Sequence, residues 1–294
     1  MKLFIFILSL QFFLNPLNGF IELRKSPEPD PRLQYLYLNA PGRGYGMFSL
    51  FCFVAGALKE YETNKYRGLE VYFGENCDYY DKSYGNNCWE YYCKPIRLGR
   101  NPKRKIKKFN TEEYAQLAFG ALKLERLELF RIIKKYINIK DAIKTKVNKF
   151  FDEHFKGHHV IAIHYRGTDK ISEAPMVPYD EVTNVVQNYI DSHDLQDFKL
   201  FVATDEQPFL TYMENAYPNL IISYNASRST DGKPLHYGRS DIKPYKQGED
   251  AIIDCLLLSK GDILIRTSSN LSAWSSYFNP YIPVIDLSKA YWQH

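Results

Sequence analysis

Residues 160–170, read V-I-A-I-H-Y-R-G-T-D-K, constrain the fold more than any other segment. The four apolar residues at 160–163 predict a strand buried on both faces, as in a parallel sheet covered by helices. Polar side chains follow at once: His164, Arg166, Asp169 and Lys170. In open α/β sheets, ligands bind just beyond the carboxyl ends of strands. A guanidinium there suits a phosphate, because it donates two parallel hydrogen bonds. Any one of these charges alone is better explained as a solvated turn, but the group together favours an anion site.

A strand, a glycine loop, a helix and a second strand are predicted in the first half of the chain. The strands fall at residues 33–38 and 69–73, and the buried helix at 47–58. The loop between them, residues 42–46, reads G-R-G-Y-G. Its glycines would let backbone N–H groups approach a phosphate at the start of the helix. A plain tight turn is the alternative, and the spacing differs from the dinucleotide fingerprint G-x-G-x-x-G.

Strands and helices also alternate in the second half of the chain. Helices are predicted at residues 179–190, 207–217 and 248–260, and strands at 199–204, 220–223, 262–265 and 282–287. Such alternation predicts a doubly wound parallel sheet. The fold class is therefore α/β, with two facing Rossmann-like domains, residues 20–150 and 151–294, and a cleft between them.

The segment that joins these halves contains a helix signal and a basic stretch. Asn110 and Glu113 form a predicted capping box. Apolar residues then recur at helical spacing and predict a core-facing stripe: Ala115, Phe119, Leu122, Leu129, Ile133 and Tyr136. The basic stretch at residues 97–108 is interpreted as a solvated connector, with steering of an anionic donor as the alternative.

Composition and the amino terminus narrow the class of protein. The net charge of +4 is too small to indicate nucleic-acid binding. The five cysteines contain no C-x-x-C pair, so no zinc site is expected. An oxidising compartment would allow one disulfide among Cys77, Cys88 and Cys93, whose partners the sequence does not choose. Residues 1–19 have the pattern of a signal peptide, with an uncleaved membrane anchor as the alternative. A secretory location follows, which is the Golgi lumen if the source is eukaryotic.

Three predicted strand ends and one helix bring polar groups to the same sheet edge. Asp205 follows the second strand of this half, and residues 268–270, read S-S-N, follow a later one. Asp254 lies on the helix between them, and a carboxylate can accept both hydrogens of the N1/N2 edge of guanine. Ser269 alone would be read as a helix cap and Asp254 as a solvated charge. Their convergence favours a nucleotide pocket.

These blocks resemble the fucosyltransferases that use GDP-fucose, in particular the α1,6-fucosyltransferase group that includes bacterial nodulation fucosyltransferases. Residues 164–170 are similar to that group's H-x-R-R-T-D-K, and residues 202–206 to its A-T-D-D block. Asp254 with residues 268–270 resembles its helix aspartate and terminal S-S-Q, and residues 42–46 resemble its G-x-G-Y-G. The likeness extends from about residue 35 to residue 280, with the blocks in the same order.

The resemblance implies a GT-B-type fold, inversion at the sugar, no metal cofactor, and GDP-fucose and a glycan acceptor as substrates. It implies that Arg166 stabilises the departing diphosphate, and that Glu173, paired with Lys170, is the general base. The implied donor-binding residues are Gly44, Gly46, His164, Asp169, Asp205, Asp254, Ser269 and Asn270.

The sequence departs from the family's pattern at three places. Gly167 stands where the family has a second arginine, Asn270 replaces a glutamine, and the assignment of Glu173 assumes that one residue is deleted before it. Two alternatives to a glycan fucosyltransferase therefore stay open. One is a protein O-fucosyltransferase or a transferase of another GDP-sugar, and the other is a non-catalytic protein that binds a sugar or a nucleotide.

Overall fold

The computed structural model describes residues 34–99, 106–168, 174–235 and 242–288. The strands are β1 (Tyr35–Asn39), β2 (Gly68–Tyr72), β3 (Arg97–Gly99), β4 (Ile106–Lys108), β5 (His159–Tyr165), β6 (Phe198–Thr204), β7 (Ile221–Ile222), β8 (Ile263–Arg266) and β9 (Val284–Asp286). The helices are α1 (Met47–Asn64), α2 (Trp89–Tyr92), α3 (Thr111–Leu122), α4 (Arg126–Tyr136), α5 (Asp141–His154), α6 (Tyr179–Ser192), α7 (Gln207–Ala216), α8 (Pro244–Leu258) and α9 (Asn270–Phe278).

The strands form two sheets. The first has the order β3-β2-β1-β4, in which β3 runs antiparallel to β2 and the other pairs are parallel. The second has the order β7-β6-β5-β8-β9, and all of its pairs are parallel. After β5 the chain adds β6 and β7 on one side of that strand, and then crosses over to add β8 and β9 on its other side. The carboxyl ends of β5 and β8 therefore form a topological switch point, where open α/β sheets bind their ligands.

Helices cover both faces of the second sheet. Along β5, Val160 and Ala162 face one apolar cluster, whereas Ile161 and Ile163 face another. All four side chains are at most 2% exposed. This burial on both sides explains why the strand is a continuous apolar run rather than an alternating one.

Helix α9 joins the two halves by packing against α1. The ring of Trp274 lies 5.2 Å from that of Phe51 in an edge-on arrangement, and its indole N–H donates to Cys52 Sγ at 3.2 Å. The larger apolar cluster contains residues of both sheets and of both helices. The start of α1 is thereby fixed beside the carboxyl edge of the second sheet.

Helix α8 also touches the first half, at a glycine. A Cβ at Gly248 would lie 2.3 Å from the Tyr92 hydroxyl oxygen and 2.5 Å from Met47 Cε. The Tyr92 hydroxyl donates to the carbonyl oxygen of Tyr245 at 2.9 Å. Only a residue without a side chain allows this approach.

Two predictions for the joining segment meet different outcomes. The capping box is confirmed. The Asn110 side chain accepts from the Glu113 backbone N–H, and the Glu113 side chain accepts from the Asn110 backbone N–H, both at 2.9 Å. The core-facing stripe is confirmed in part: Leu129 and Ile133 are buried and Leu122 and Tyr136 pack against the core, whereas Phe119 is 46% exposed. The helix also breaks within the stripe, since α3 ends at Leu122 and α4 begins at Arg126. Gly120 weakens the last turn of α3, which helps the chain to break there.

Two further predictions, the basic connector and the domain boundary near residue 150, overlap regular elements of the described chain. The basic stretch contributes β3 and β4 to the edges of the first sheet rather than a plain connector. Residue 150 lies inside α5, which packs against α8.

The predictions for the amino terminus lie outside the described residues, which include no helix that is long and apolar enough to span a bilayer. All five cysteines are buried, and the Sγ atoms of Cys77 and Cys88 are 2.8 Å apart. The disulfide stays a prediction.

Candidate active site

A cavity of about 530 Å³ lies at the carboxyl ends of β5, β6 and β8, facing the start of α1. The first half lines it with Gly44, Tyr45, Gly46, Met47, Phe48, Ser49 and Tyr79. The second half lines it with His164, Arg166, Ala203, Thr204, Asp205, Ala226, Ser227, Leu235, Gln247, Asp250, Ala251, Asp254, Ser269, Asn270 and Leu271. Most of the site residues predicted from sequence are thus brought together. Asp169, Lys170 and Glu173 lie outside the described residues.

Arg166 is held between the ends of the two neighbouring strands. It directly follows β5, and its backbone N–H donates to Thr267 Oγ1, at the end of β8, over 2.9 Å. Its Nη1 atom lies 2.8 Å from Asp205 Oδ2, at the end of β6. A cation is therefore fixed at the switch point of the sheet before any ligand arrives.

Asp205 supports the loop that carries this arginine. Besides the Arg166 guanidinium, it accepts from the backbone N–H of Gly167 at 3.1 Å and from the Thr168 hydroxyl at 2.6 Å. Because its oxygens are engaged by these three donors, the geometry favours Asp205 as a residue that positions Arg166. Direct donor binding was the role that the resemblance implied.

The start of α1 presents backbone donors to the cavity. Gly46 caps the helix in an extended conformation, with no side-chain cap in the described part of the chain and no acidic residue in the first turn. Gly44 has φ +92°, which favours glycine, and its N–H donates to Asp78. The first amides of a helix lack partners within the helix and carry partial positive charge, so they suit an anion.

The start of α9 lines the same cavity and contacts the start of α1. Ser269 caps α9 by accepting from the Leu271 backbone N–H at 3.2 Å, which was the alternative to its predicted role in donor binding. The side-chain amide of Asn270 donates to Ser49 Oγ of α1 at 3.2 Å. A hydrogen bond between the two halves therefore links the two helix starts beside Arg166.

Asp254 is a buried carboxylate that faces the cavity from α8. It is 6% exposed, and its Oδ1 atom has no hydrogen-bond partner among the described residues. Its pKa is raised from 3.8 to about 7, mainly by burial and also by the nearby Asp250, against the opposing effects of Arg228 and Lys246. An acceptor of this kind calls for N–H donors from a ligand, because an unpaired buried polar group is costly.

Asp250, one helical turn earlier on α8, is by contrast already satisfied by the protein. Its carboxylate accepts from the Ser227 backbone N–H and hydroxyl, at 3.2 and 3.3 Å, and from the Lys246 ammonium. Of the two carboxylates, Asp254 is therefore the one left for a ligand.

Sequence reasoning missed several residues of the lining. Gln247 and Asp250 lie on the same helical face as Asp254, seven and four residues before it, so periodicity would have found them. Tyr79 comes from an irregular segment between β2 and α2 and has no periodic signal. Burial raises its pKa, and its aromatic ring closes one side of the cavity.

The structure explains why residue 167 is a glycine. A Cβ at Gly167 would lie 1.9 Å from the carboxylate carbon of Glu206. The Tyr179 hydroxyl donates to Glu206 Oε2 at 3.0 Å, and burial is the main cause of the raised pKa of Glu206. In this chain Glu206 thus fills the space beside Arg166 into which a side chain at 167 would project.

Solved structures with a similar fold define the class of protein. The crystal structure of fucosyltransferase NodZ from Bradyrhizobium is 15% identical, with a TM-score of 0.54, over 86% of this chain and 95% of that chain. POFUT1 in complex with GDP-fucose is 7% identical, with a TM-score of 0.50, over 89% of this chain and 99% of that chain. The predicted fold class is confirmed: the chain has the α/β, GT-B-type fold of glycosyltransferases.

A family model, described as Nodulation protein Z (NodZ), matches residues 123–291. Nodulation protein Z of Bradyrhizobium diazoefficiens is 25% identical over 172 residues, which are 55% of this chain and 44% of that protein. The chain belongs to the NodZ family. It spans less than half the length of the curated relative that it matches.

Proposed function

We propose that this protein transfers fucose from GDP-fucose to a hydroxyl group of a glycan, with inversion at the anomeric carbon and without a metal ion. Family membership supports this function, since related structures are of NodZ α1,6-fucosyltransferase with GDP and of POFUT1 with GDP-fucose. The observation that carries it is one cavity in which Arg166 and the starts of α1 and α9 meet, with the unpaired Asp254 at its wall.

The diphosphate would bind where the cation and the helix starts meet. Arg166 can hold two phosphate oxygens at once, and the backbone amides following Gly46 add further donors. The Ser269 hydroxyl and the Asn270 amide complete a set of donors without a metal. Among the described residues no group of three His, Cys, Asp or Glu side chains is placed to hold one.

The guanine base would bind at Asp254. Its carboxylate can accept from both N1–H and N2–H of guanine, and burial makes such a charged hydrogen bond strong. His164, which is 4% exposed and lines the same cavity, is the second base contact that the family resemblance implies.

The reaction separates charge, and the site can stabilise the negative charge that develops on GDP. The bond between the anomeric carbon and the β-phosphate oxygen breaks, which leaves negative charge on GDP and positive charge on the sugar. Arg166 and the helix amides are preorganised to stabilise the departing diphosphate. The acceptor oxygen bonds to the anomeric carbon from the opposite face. Its proton passes to a carboxylate, for which the resemblance implies Glu173 with Lys170 beside it.

Calorimetry with two nucleotides tests the donor assignment. GDP should bind at least about tenfold more tightly than UDP, since one charged hydrogen bond contributes roughly 1.5–3 kcal/mol and uracil lacks the two-donor edge that Asp254 fits. Equal or tighter binding of UDP would contradict the proposal.

A further inference from the structure

A second opening in the surface lies beside the donor cavity and has no assigned role. It is a shallow cleft of about 520 Å³ between the start of α6 and one face of α7. The side chains that matter here are Tyr179, Gln207, Thr211, Tyr212, Asn215 and Thr230. We call it the Tyr179 cleft.

The lining of the cleft has the chemistry of a sugar site. The rings of Tyr179 and Tyr212 lie 5.3 Å apart at an angle of 51°, so they offer two differently oriented aromatic surfaces. Side-chain amides of Gln207 and Asn215 and hydroxyls of Thr211 and Thr230 surround them. Rings of this kind cover the apolar faces of a sugar, and amides and hydroxyls pair with its hydroxyl groups. No charged side chain of the described residues lines the cleft, which favours a neutral ligand.

The walls of the cleft are held in place by the protein. The Gln207 backbone N–H donates to the Ser229 carbonyl oxygen at 2.9 Å. The Ser229 backbone N–H donates to the Asp205 carbonyl oxygen at 2.8 Å. These bonds fix the loop that carries Thr230 against the start of α7. The Tyr179 ring packs edge-on against Phe209, at 5.1 Å. A wall that is already ordered loses little conformational freedom when a ligand binds.

One residue of the chain separates the lining of the cleft from that of the donor cavity. Asp205 lines the cavity, Gln207 lines the cleft, and Glu206 stands between them. The α-carbons of residues 205 and 207 can be at most about 7 Å apart. Glu206 accepts from the Tyr179 hydroxyl on the cleft side and lies against Gly167, next to Arg166, on the cavity side.

We propose that the Tyr179 cleft is the acceptor subsite and that it binds a neutral oligosaccharide. The inference rests on the proposed function, because it places the second substrate of that reaction. An oligosaccharide seated on the two tyrosines extends past Glu206 and brings a hydroxyl group to the donor cavity.

Binding to an array of printed neutral and acidic oligosaccharides tests the cleft directly. The labelled full-length protein, with GDP present, should be retained by one or more neutral oligosaccharides. The double variant Gln207→Ala/Asn215→Ala should lose about tenfold or more of that binding, because it removes two amide groups. Glu214→Ala, an exposed change on the same helix but outside the lining, should bind as the unchanged protein does.

Two results would overturn the inference: retention by no neutral oligosaccharide, or equal retention of the double variant and the unchanged protein. Thermal melting checks that each variant folds. Calorimetry with GDP, which should give the same affinity for all three proteins, separates the two proposals. If the unchanged protein does not bind GDP, the proposed function is contradicted, whereas the array result tests the cleft alone.

Discussion

At the scale of single residues, burial of the Asp254 carboxyl destabilises the folded protein, but the same carboxyl is suited to bind guanine. Its carboxyl is buried, and its pKa is raised from 3.8 to about 7. Between these two values the folded state holds a proton that the unfolded state has released. The free energy of unfolding therefore falls as pH rises through this window, and above about pH 7 the full cost is present. A bound guanine would remove much of this cost by supplying N–H donors.

Asp254→Asn should make the unliganded protein more stable at pH 8 but weaken GDP binding. The amide carries no charge to bury, so the variant should melt a few degrees above the unchanged protein at pH 8 and show a smaller advantage at pH 5. GDP affinity should fall about tenfold or more, since the Asn NH₂ cannot accept from guanine. Thermal melts at both pH values and calorimetry check this, and a melting difference that does not change with pH would contradict it.

At the scale of elements, the close contact between α8 and the first half shapes the cavity. Gly248 lies against Tyr92 and against Met47, which is the first residue of α1 and lines the cavity. Gln247 and Asp250, on the same helix, line the cavity as well. A shift of α8 away from α1 would therefore widen the site.

Gly248→Ala should destabilise the fold and weaken GDP binding. The added Cβ would lie 2.3 Å from the Tyr92 hydroxyl oxygen, so side chains must move, and overpacking typically costs about 1–3 kcal/mol. Gly120→Ala is the matched control, because a Cβ there meets nothing within 4 Å and alanine favours a helix by roughly 0.5–1 kcal/mol. Urea unfolding compares the two variants, and equal stabilities would show that the contact is unimportant.

Apolar runs and helical periodicity made most elements predictable from the sequence, including the short strands β7, β8 and β9, whereas β3 and β4 were not predictable. The apolar runs gave β5 and α1, and the capping box gave the start of α3. Strands β3 and β4 have three residues each and contain charged side chains, so their identity depends on pairing with β2 and β1. Helix α5 was also predictable, since its buried residues Ile143 and Val147 are four positions apart, as on one face of a helix.

The residues of the candidate site also fall into those that were predictable from the sequence and those that were not. Arg166, Asp205 and Ser269 were predictable because the carboxyl ends of parallel strands meet at one edge of a sheet. The bond between Asn270 and Ser49 was not, since it depends on how α9 packs against α1. Nor was the place of Glu206, which only the missing side chain of Gly167 makes possible.

At the scale of the whole molecule, the active-site cavity is completed by both halves. Tyr79 and the start of α1 come from the first half, and the strand ends, α8 and α9 come from the second. A shared apolar cluster and the contact of Trp274 with Phe51 hold the halves together. A GDP-sugar that touches both sides therefore needs the whole chain, not either sheet alone.

The most direct test of this account is the release of GDP from GDP-fucose by the purified protein, measured with and without a mixture of glycan acceptors. The account predicts GDP release that acceptors accelerate, a fucosylated product in the mass spectrum, and no loss of rate in EDTA. Arg166→Ala should lower the rate by on the order of a hundredfold or more, and Arg166→Lys should not restore it, because an ammonium lacks the planar fork. Absence of GDP release under every condition, or an Arg166→Ala variant as fast as the unchanged protein, would contradict the central claim.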